Sequence, residues 1–416
     1  MIYIKKSKLY PPYIALFAIY LFFIIVAFIL DSPIEILQGL KKIILSPDIL
    51  ISDYVEIGGI GASLVNSALT SILSLLLLVF IGVKPNGSTI MSLWLVTGFA
   101  FFGKNILNIW PIITGVYLYS KYKKEPFLNY SLVALLSTTL APTVSQLSFT
   151  NYISTNWGII LGYLIGILTG FIIAPIATHC SKAHNGYNLY NVGFAAGIFA
   201  TLLMSIFRAL GINFESRTLW NTEYNYIFSI LLLIISLYLI ILGLYNNPSA
   251  KEDYFTLIKQ PGRLVSDFYI LYERTCYINM GILCLLSTAL VLALKSHLNG
   301  PTIAGIFTIV GFGAFGKHIR NVTPIIIGAI LASLMHINPI NSPSLILSIL
   351  FSTALAPVAG KFGYKIGILA GFLHVNMVTN VGYLHGGLNL YNNGLAAGFV
   401  AMLLIPTINI FNKEDI

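Results

Sequence analysis

The constraint that decides most about this chain is its run of long apolar stretches. The first, "PYIALFAIYLFFIIVAFIL", ends at Leu30, and runs of 15 to 24 apolar residues recur to the C-terminus. A helix of about 20 apolar residues crosses the hydrocarbon core of a bilayer. Charge is too scarce for the alternative. Only 9% of the 416 residues are charged and 57% are hydrophobic, with a mean hydropathy of +0.86, whereas soluble domains carry about 25% charge. The chain therefore reads as an all-α integral membrane protein. The basic flank and the absence of a small-residue cleavage site in the "DSPIE" that follows make the first run a retained helix rather than a cleaved signal.

Fourteen spans are expected, near residues 12–30, 60–83, 88–103, 106–120, 130–146, 156–178, 189–210, 224–245, 276–294, 300–316, 321–336, 343–358, 362–379 and 390–410. Those at 88–103, 106–120, 321–336 and 343–358 are shorter than a full crossing needs, which predicts tilted, broken or re-entrant segments. Basic residues set the orientation. With an internal N-terminus, seventeen Lys and Arg fall inside and six outside; with 130–146 and 343–358 re-entrant the split is thirteen to ten. The count favours fourteen crossings with both termini cytoplasmic. Basic residues come in short clusters between apolar runs, so the net charge of +9 implies loop anchoring and no nucleic-acid partner.

The chain also says nearly everything twice. His184–Gly197 and His385–Gly398 agree at ten of fourteen positions, around N-L-Y-N-x-G-x-A-A-G. Gly98–Gly115 and Gly311–Gly328 share F-G-K-x-x-x-N-x-x-P-I-I-x-G. Ser137–Pro142 "STTLAP" returns as Ser352–Pro357 "STALAP", and Pro47–Asp53 as Pro261–Asp267, all in one order. The expected organisation is a first seven-helix repeat over 1–215 and a second over 216–416, together one membrane domain. Seven is odd, so the second repeat enters the bilayer inverted, an arrangement of secondary transporters with a midplane site between repeats.

The repeated polar residues are the candidate site. Asn188 and Asn191, with Asn389 and Asn392, sit where a span begins. They either cap a helix or line a cavity, where an amide offers donor and acceptor together. Lys104 and Lys317 lie between two short apolar runs, where a lysine at membrane depth is costly; with the following helix N-termini they would favour an anionic group. Asn108 and Asn321 precede Pro111 and Pro324, which are expected to break the helix and free polar groups toward a cavity. Ser137, Thr138, Ser352 and Thr353 either line the path or satisfy carbonyls freed by the next proline. None of the fourteen acids lies in the middle of an apolar run, so a carboxylate proton relay is not expected, and His374 reads as a packing histidine.

No phosphate-binding loop, zinc motif or acid pair stands out, and the three cysteines show no metal spacing. No enzyme activity, cofactor or metal is expected. The doubled FGKxxxNxxPIIxG and NLYNxGxAAG signatures resemble a family of bacterial multi-pass membrane proteins catalogued as a domain of unknown function. That resemblance implies the cell membrane as location and brings no activity. A fainter resemblance links Gly186–Asn191 and Gly387–Asn392 to the G-x-x-G-[FY]-N helix starts of urea transporters; their L-P-x-x-T-x-P-F signature is absent. The function expected is a transporter or facilitator for a small polar solute, anions included, with the lipid bilayer as its surroundings and the oligomeric state left open. The competing readings are a membrane-embedded enzyme, which needs converging acids or histidines, and a scaffold, which needs a filled midplane.

Overall fold

A computed structural model describes residues 10–150, 152, 154–263 and 267–411. Lys5, Lys6, Lys8 and Lys413 of the charge count, and the termini they belong to, lie outside them. The described residues form helices and no sheet.

In the first half, α1 (Pro11–Leu30) is followed by α2 (Pro33–Ile44), α3 (Tyr54–Gly58), α4 (Ile60–Phe80), α5 (Gly87–Phe99) and α6 (Trp110–Tyr122). Then come α7 (Ser131–Ser137), a 3-10 turn at Thr138–Leu140, α8 (Ala141–Phe149), α9 (Thr155–Ala183) and α10 (Asn191–Ala209). The second half repeats that order. It has α11 (Asn225–Leu244), α12 (Ala250–Leu257), α13 (Phe268–Tyr272), α14 (Thr275–Ala293), α15 (Gly300–Phe312) and α16 (Ile319–Leu334). It ends with α17 (Pro343–Ser352), a 3-10 turn at Thr353–Leu355, α18 (Ala356–Phe362), α19 (Tyr364–Val381) and α20 (Asn392–Phe411). Among the described residues nine helical stretches are long and apolar enough to cross a membrane, Phe127–Phe149 and Pro343–Phe362 among them; α5, α15 and α16 are shorter. The 13 residues of α5 measure about 20 Å, against a core of about 30 Å.

Local chemistry explains the breaks. Asn86 and Thr89 form a reciprocal capping box at the start of α5, and Asn299 and Thr302 form the same box on α15. Pro142 and Pro357 each fall in the first two positions of α8 and α18, where a missing N–H costs no helix bond. The S-T-x-L-A-P motif therefore ends one helix in a 3-10 turn and starts the next. Pro111 likewise opens α6 instead of breaking it, which corrects the expectation above, while Pro324 does lie inside α16. The expected spans 88–103 and 106–120 took in residues 100–103 and 106–109, which belong to a non-helical tip at 100–109. The segment between α1 and α4 holds an amphipathic helix, α2, with a Ser32–Glu35 capping box and Lys41 and Lys42 in its last turn.

The matching helices α5 and α15 run antiparallel. Along the α5–α15 seam, Gly87 abuts the Ala314 carbonyl, Met91 and Trp94 meet Gly311, Gly98 meets Ala304, and Gly300 abuts the Phe101 carbonyl. The starts of α10 and α20 cross at Gly193 and Gly394, and Arg208, further along α10, donates to the Tyr383 carbonyl (2.6 Å), which precedes α20. Within a half, α6 and α9 run parallel, with Pro111 beside Gly166 and Gly115 against Gly170; Pro324 beside Gly367 and Ala329 against Gly371 repeat this in α16 and α19. Lipid supplies no hydrophobic drive between such helices, so close backbone approach at small residues does the packing.

Two aspartates lock one half to the other. The Asp53 carboxylate accepts from Val55 N (3.0 Å), Asn221 N (2.9 Å) and Gly300 N (3.2 Å), the last at the start of α15. Its counterpart Asp267 accepts Gly87 N, at the start of α5, with both oxygens at 2.9 Å. A carboxylate is favoured at a helix N-terminus by its free N–H groups and dipole.

A candidate solute site between the two halves

The N-L-Y-N segments are not helical along their whole length. Asn188 and Asn389 precede α10 and α20, while Asn191 and Asn392 are the first helical residues. The chain before each helix is pinned to the 3-10 turn of the S-T-x-L-A-P breaks. Leu189 N donates to Ala354 O and Leu390 N to Thr139 O, both at 3.0 Å. Asn188 accepts Tyr190 N (2.9 Å) and donates to Gly394 O (3.0 Å); Asn389 accepts Tyr391 N (3.0 Å) and donates to Gly193 O (3.2 Å). These four amide contacts orient the two tyrosines.

Each tyrosine meets the lysine of a tip. Lys104 Nζ donates to the Tyr391 hydroxyl at 2.8 Å, and Lys317 Nζ to the Tyr190 hydroxyl at 2.6 Å. Lys317 also donates to Thr353 Oγ1 at 2.8 Å. Both ammonium groups face aromatic rings. Lys104 lies 5.4 Å from the Phe99 centroid and 4.8 Å from that of Tyr391; Lys317 lies 4.5 Å from Tyr190 and 4.8 Å from Phe312. Both lysines are 0% exposed, and among the described residues neither has a carboxylate partner. A buried cation without a counter-ion is expensive, and among the described residues only phenols, a hydroxyl and ring faces stand against these two amino groups.

The tips are rigid. Asn66 ties Ala100 O (2.6 Å) to Lys104 O (2.9 Å), and Asn279 ties Gly313 O (2.8 Å) to Lys317 O (2.7 Å). Asn108 accepts Asn105 N (2.9 Å) and donates to Gly103 O (3.1 Å); Asn321 accepts His318 N (2.9 Å) and donates to Gly316 O (2.9 Å). These two asparagines hold turns.

Beside the tyrosines lies a cavity of about 240 Å³ walled by both halves. Its polar groups are Tyr190, Tyr391, Asn191, Asn393, Thr178, Ser181 and Thr308, and Phe99, Phe312 and Phe351 form much of the rest. Drug-sized pockets occupy about 300–1,000 Å³, so this space suits a small solute. Of the residues expected at the site, only Asn191 lines it. Lys104 and Lys317 stand behind the tyrosines, Asn188 and Asn389 brace them, and Asn392 bonds His385 (2.7 Å) as Asn191 bonds His184 (3.0 Å). Ser137, Thr138, Ser352 and Thr353 donate to the carbonyls of Ala134, Leu135, Ile349 and Leu350. Sequence reasoning passed over Tyr190 and Tyr391, although both are duplicated within N-L-Y-N. Thr308 and Asn393 carried no repeat signal.

Two carboxylates outside the apolar runs are buried. Asp48 and Asp53 are both 0% exposed. Burial pushes each carboxyl up to about 7, against hydrogen bonds that pull the other way. Among the described residues no three His, Cys, Asp or Glu are grouped to hold a metal ion.

One family model, described as "Protein of unknown function (DUF1576)", matches residues 32–209 and 246–410, most of the chain. The chain belongs to that family. The two matched stretches cover α2–α10 and α12–α20, the same set of elements in each half. No curated protein and no solved structure matches, so the resemblance to urea transporters gains no support.

Proposed function

We propose that this protein is a multi-pass membrane transporter or facilitator for a small polar or anionic solute, bound between two inverted repeats of seven spans, 1–215 and 216–416. The observation that carries the reading is the pair of reciprocal lysine–tyrosine contacts, Lys104–Tyr391 and Lys317–Tyr190, beside a cavity that both halves wall. A solute with an apolar body and an anionic end matches that wall. The rings take the body, and hydroxyls backed by ammonium groups take the charge.

Helix directions support the inverted arrangement. The end of α1 meets the start of α4, where Asp31 accepts Gly61 N at 2.8 Å, so these two are antiparallel. Ser148 and Val144 of α8 face Gly158 and Gly162 of α9 in reverse order, and α6 runs with α9. Passes that alternate in this way make seven per half, and the antiparallel α5–α15 seam supports a twofold axis in the membrane plane between the halves. Both termini then face one side, the cytoplasm by the distribution of basic residues, in a bacterial cell membrane as the family resemblance implies.

The test is uptake by proteoliposomes of a panel of small neutral solutes and small organic and inorganic anions. The double variant Lys104→Ala and Lys317→Ala serves as control. Uptake of an anion that falls at least tenfold in the control supports the reading. No uptake of any panel member, or uptake indifferent to both substitutions, overturns it or removes the lysines from the site.

A further inference from the structure

The two halves differ beside the first tip. Where the second half has Gly262, the first has Asp48. Its carboxylate sits against the first tip. Oδ2 accepts the Tyr54 hydroxyl at 2.8 Å and Asn108 Nδ2 at 3.1 Å, and Asn105 Nδ2 stands at 3.5 Å. Oδ1 is buried, with no hydrogen-bond partner among the described residues. The charged or titratable groups facing it are Tyr54 from α3 and Arg217 from the segment after α10. Arg217 spends its Nη2 on Ser46 at 2.7 Å. From α8 comes only Ser145, and from the tip only the two asparagines, because Lys104 turns to Tyr391. In the second half a Cβ on Gly262 would meet the Gly316 carbonyl and Asn321 Nδ2, so no side chain takes the place of Asp48 there.

We propose that Asp48 is a proton-binding switch that fastens and releases the first tip. Naming the proton as a coupling ion rests on the transport reading above; the switch itself does not. When Oδ1 carries a proton, no charge is buried, the unsatisfied oxygen is a hydroxyl, and Oδ2 still accepts from Asn108 and Tyr54, so the tip is fastened. When that proton leaves to solvent, the charge is buried against neutral donors, which is costly, and the tip opens to hydrate it. Burial already places the carboxyl at about 7, so both states are reachable near neutral pH. Asn108 closes the turn that carries Lys104, accepting Asn105 N at 2.9 Å, so release acts on the candidate solute site.

Hydrogen exchange of the purified full chain, in detergent and without solute, tests this. Protection of the amides of Asn105, Leu107 and Asn108, corrected for intrinsic rates, should fall as pH rises toward about 7 and level off above it, by up to about tenfold per pH unit. The second tip, around His318 and Asn321, is the internal control and should not respond. Asp48→Asn should abolish the response. If that variant fails to fold, Tyr54→Phe, which deletes one donor to the ionised form, should move the midpoint upward. Equal behaviour of the two tips in the unaltered protein overturns the proposal, as does a response that survives Asp48→Asn or an unmoved midpoint in Tyr54→Phe. A pH-responsive first tip in a protein that carries no solute would refute the transport reading alone.

Discussion

Replacing Lys104 by methionine separates a functional lysine from a structural one. A lysine near the bilayer centre costs about 2.5–3.5 kcal/mol on insertion scales, and methionine of similar length removes that cost. Against this, the variant loses one hydrogen bond to a charged donor, the 2.8 Å contact with Tyr391, worth about 2 kcal/mol. It also loses two ring contacts, at 5.4 and 4.8 Å, worth about 1 kcal/mol together. The terms nearly cancel, so Lys104→Met should unfold within about 1 kcal/mol of the unaltered protein. Lys317→Met loses two hydrogen bonds, to Tyr190 and Thr353, and should fall roughly 1–2 kcal/mol below Lys104→Met. Both should lose anion uptake at least tenfold. Unfolding in mixed micelles and proteoliposome uptake measure the two quantities on the same preparations. A loss above about 3 kcal/mol for Lys104→Met would make the ammonium a structural fastening and refute the reasoning. Retained uptake in a stable variant would refute its place at the site.

Three further outcomes follow from the fold. Asp53→Ala strands three buried N–H donors, of Val55, Asn221 and Gly300, at about 1–3 kcal/mol each; it should unfold several kcal/mol earlier, and a change under about 1 kcal/mol would contradict the cross-cap. Gly328→Val drives a side chain into the Ile368 carbonyl, so α16 and α19 must part, and size-exclusion chromatography should find aggregated protein in place of a monodisperse peak. The Asp48 carboxyl rises from 3.8 to about 7 on folding, so between those values the folded state holds a proton that the unfolded chain has released. Stability of the unaltered protein relative to Asp48→Asn should therefore fall as pH rises through that window, by up to about 4 kcal/mol, and level off above it. The difference is the quantity to measure, because His318, whose ring burial pushes down to about 4, adds an opposite slope to both proteins.

Much of the architecture was legible in the chain because its causes are local. Apolar length makes spans, and duplicated phrases mark equivalent positions whatever the fold. The identity of S-T-x-L-A-P as a break was legible for the same reason, since proline acts on its own backbone. The form of each break was not: Pro111 reads as a helix breaker until the non-helical tip before it is seen. The site residues were half legible. Duplication pointed to Lys104, Lys317 and the asparagines, but it could not say which of them face a cavity and which hold a turn.

What the sequence determined alone is a helical membrane protein with two copies of one unit, because hydrophobic length and repetition need no partner to be read. What only the tertiary structure decided is who meets whom. Asp53 caps a helix 247 residues away and Lys104 finds a tyrosine 287 residues away. Asp48, unremarkable in a loop, ends up buried against the first tip. Pairings at that separation depend on how the two units pack against each other, and no local pattern of residues encodes that geometry.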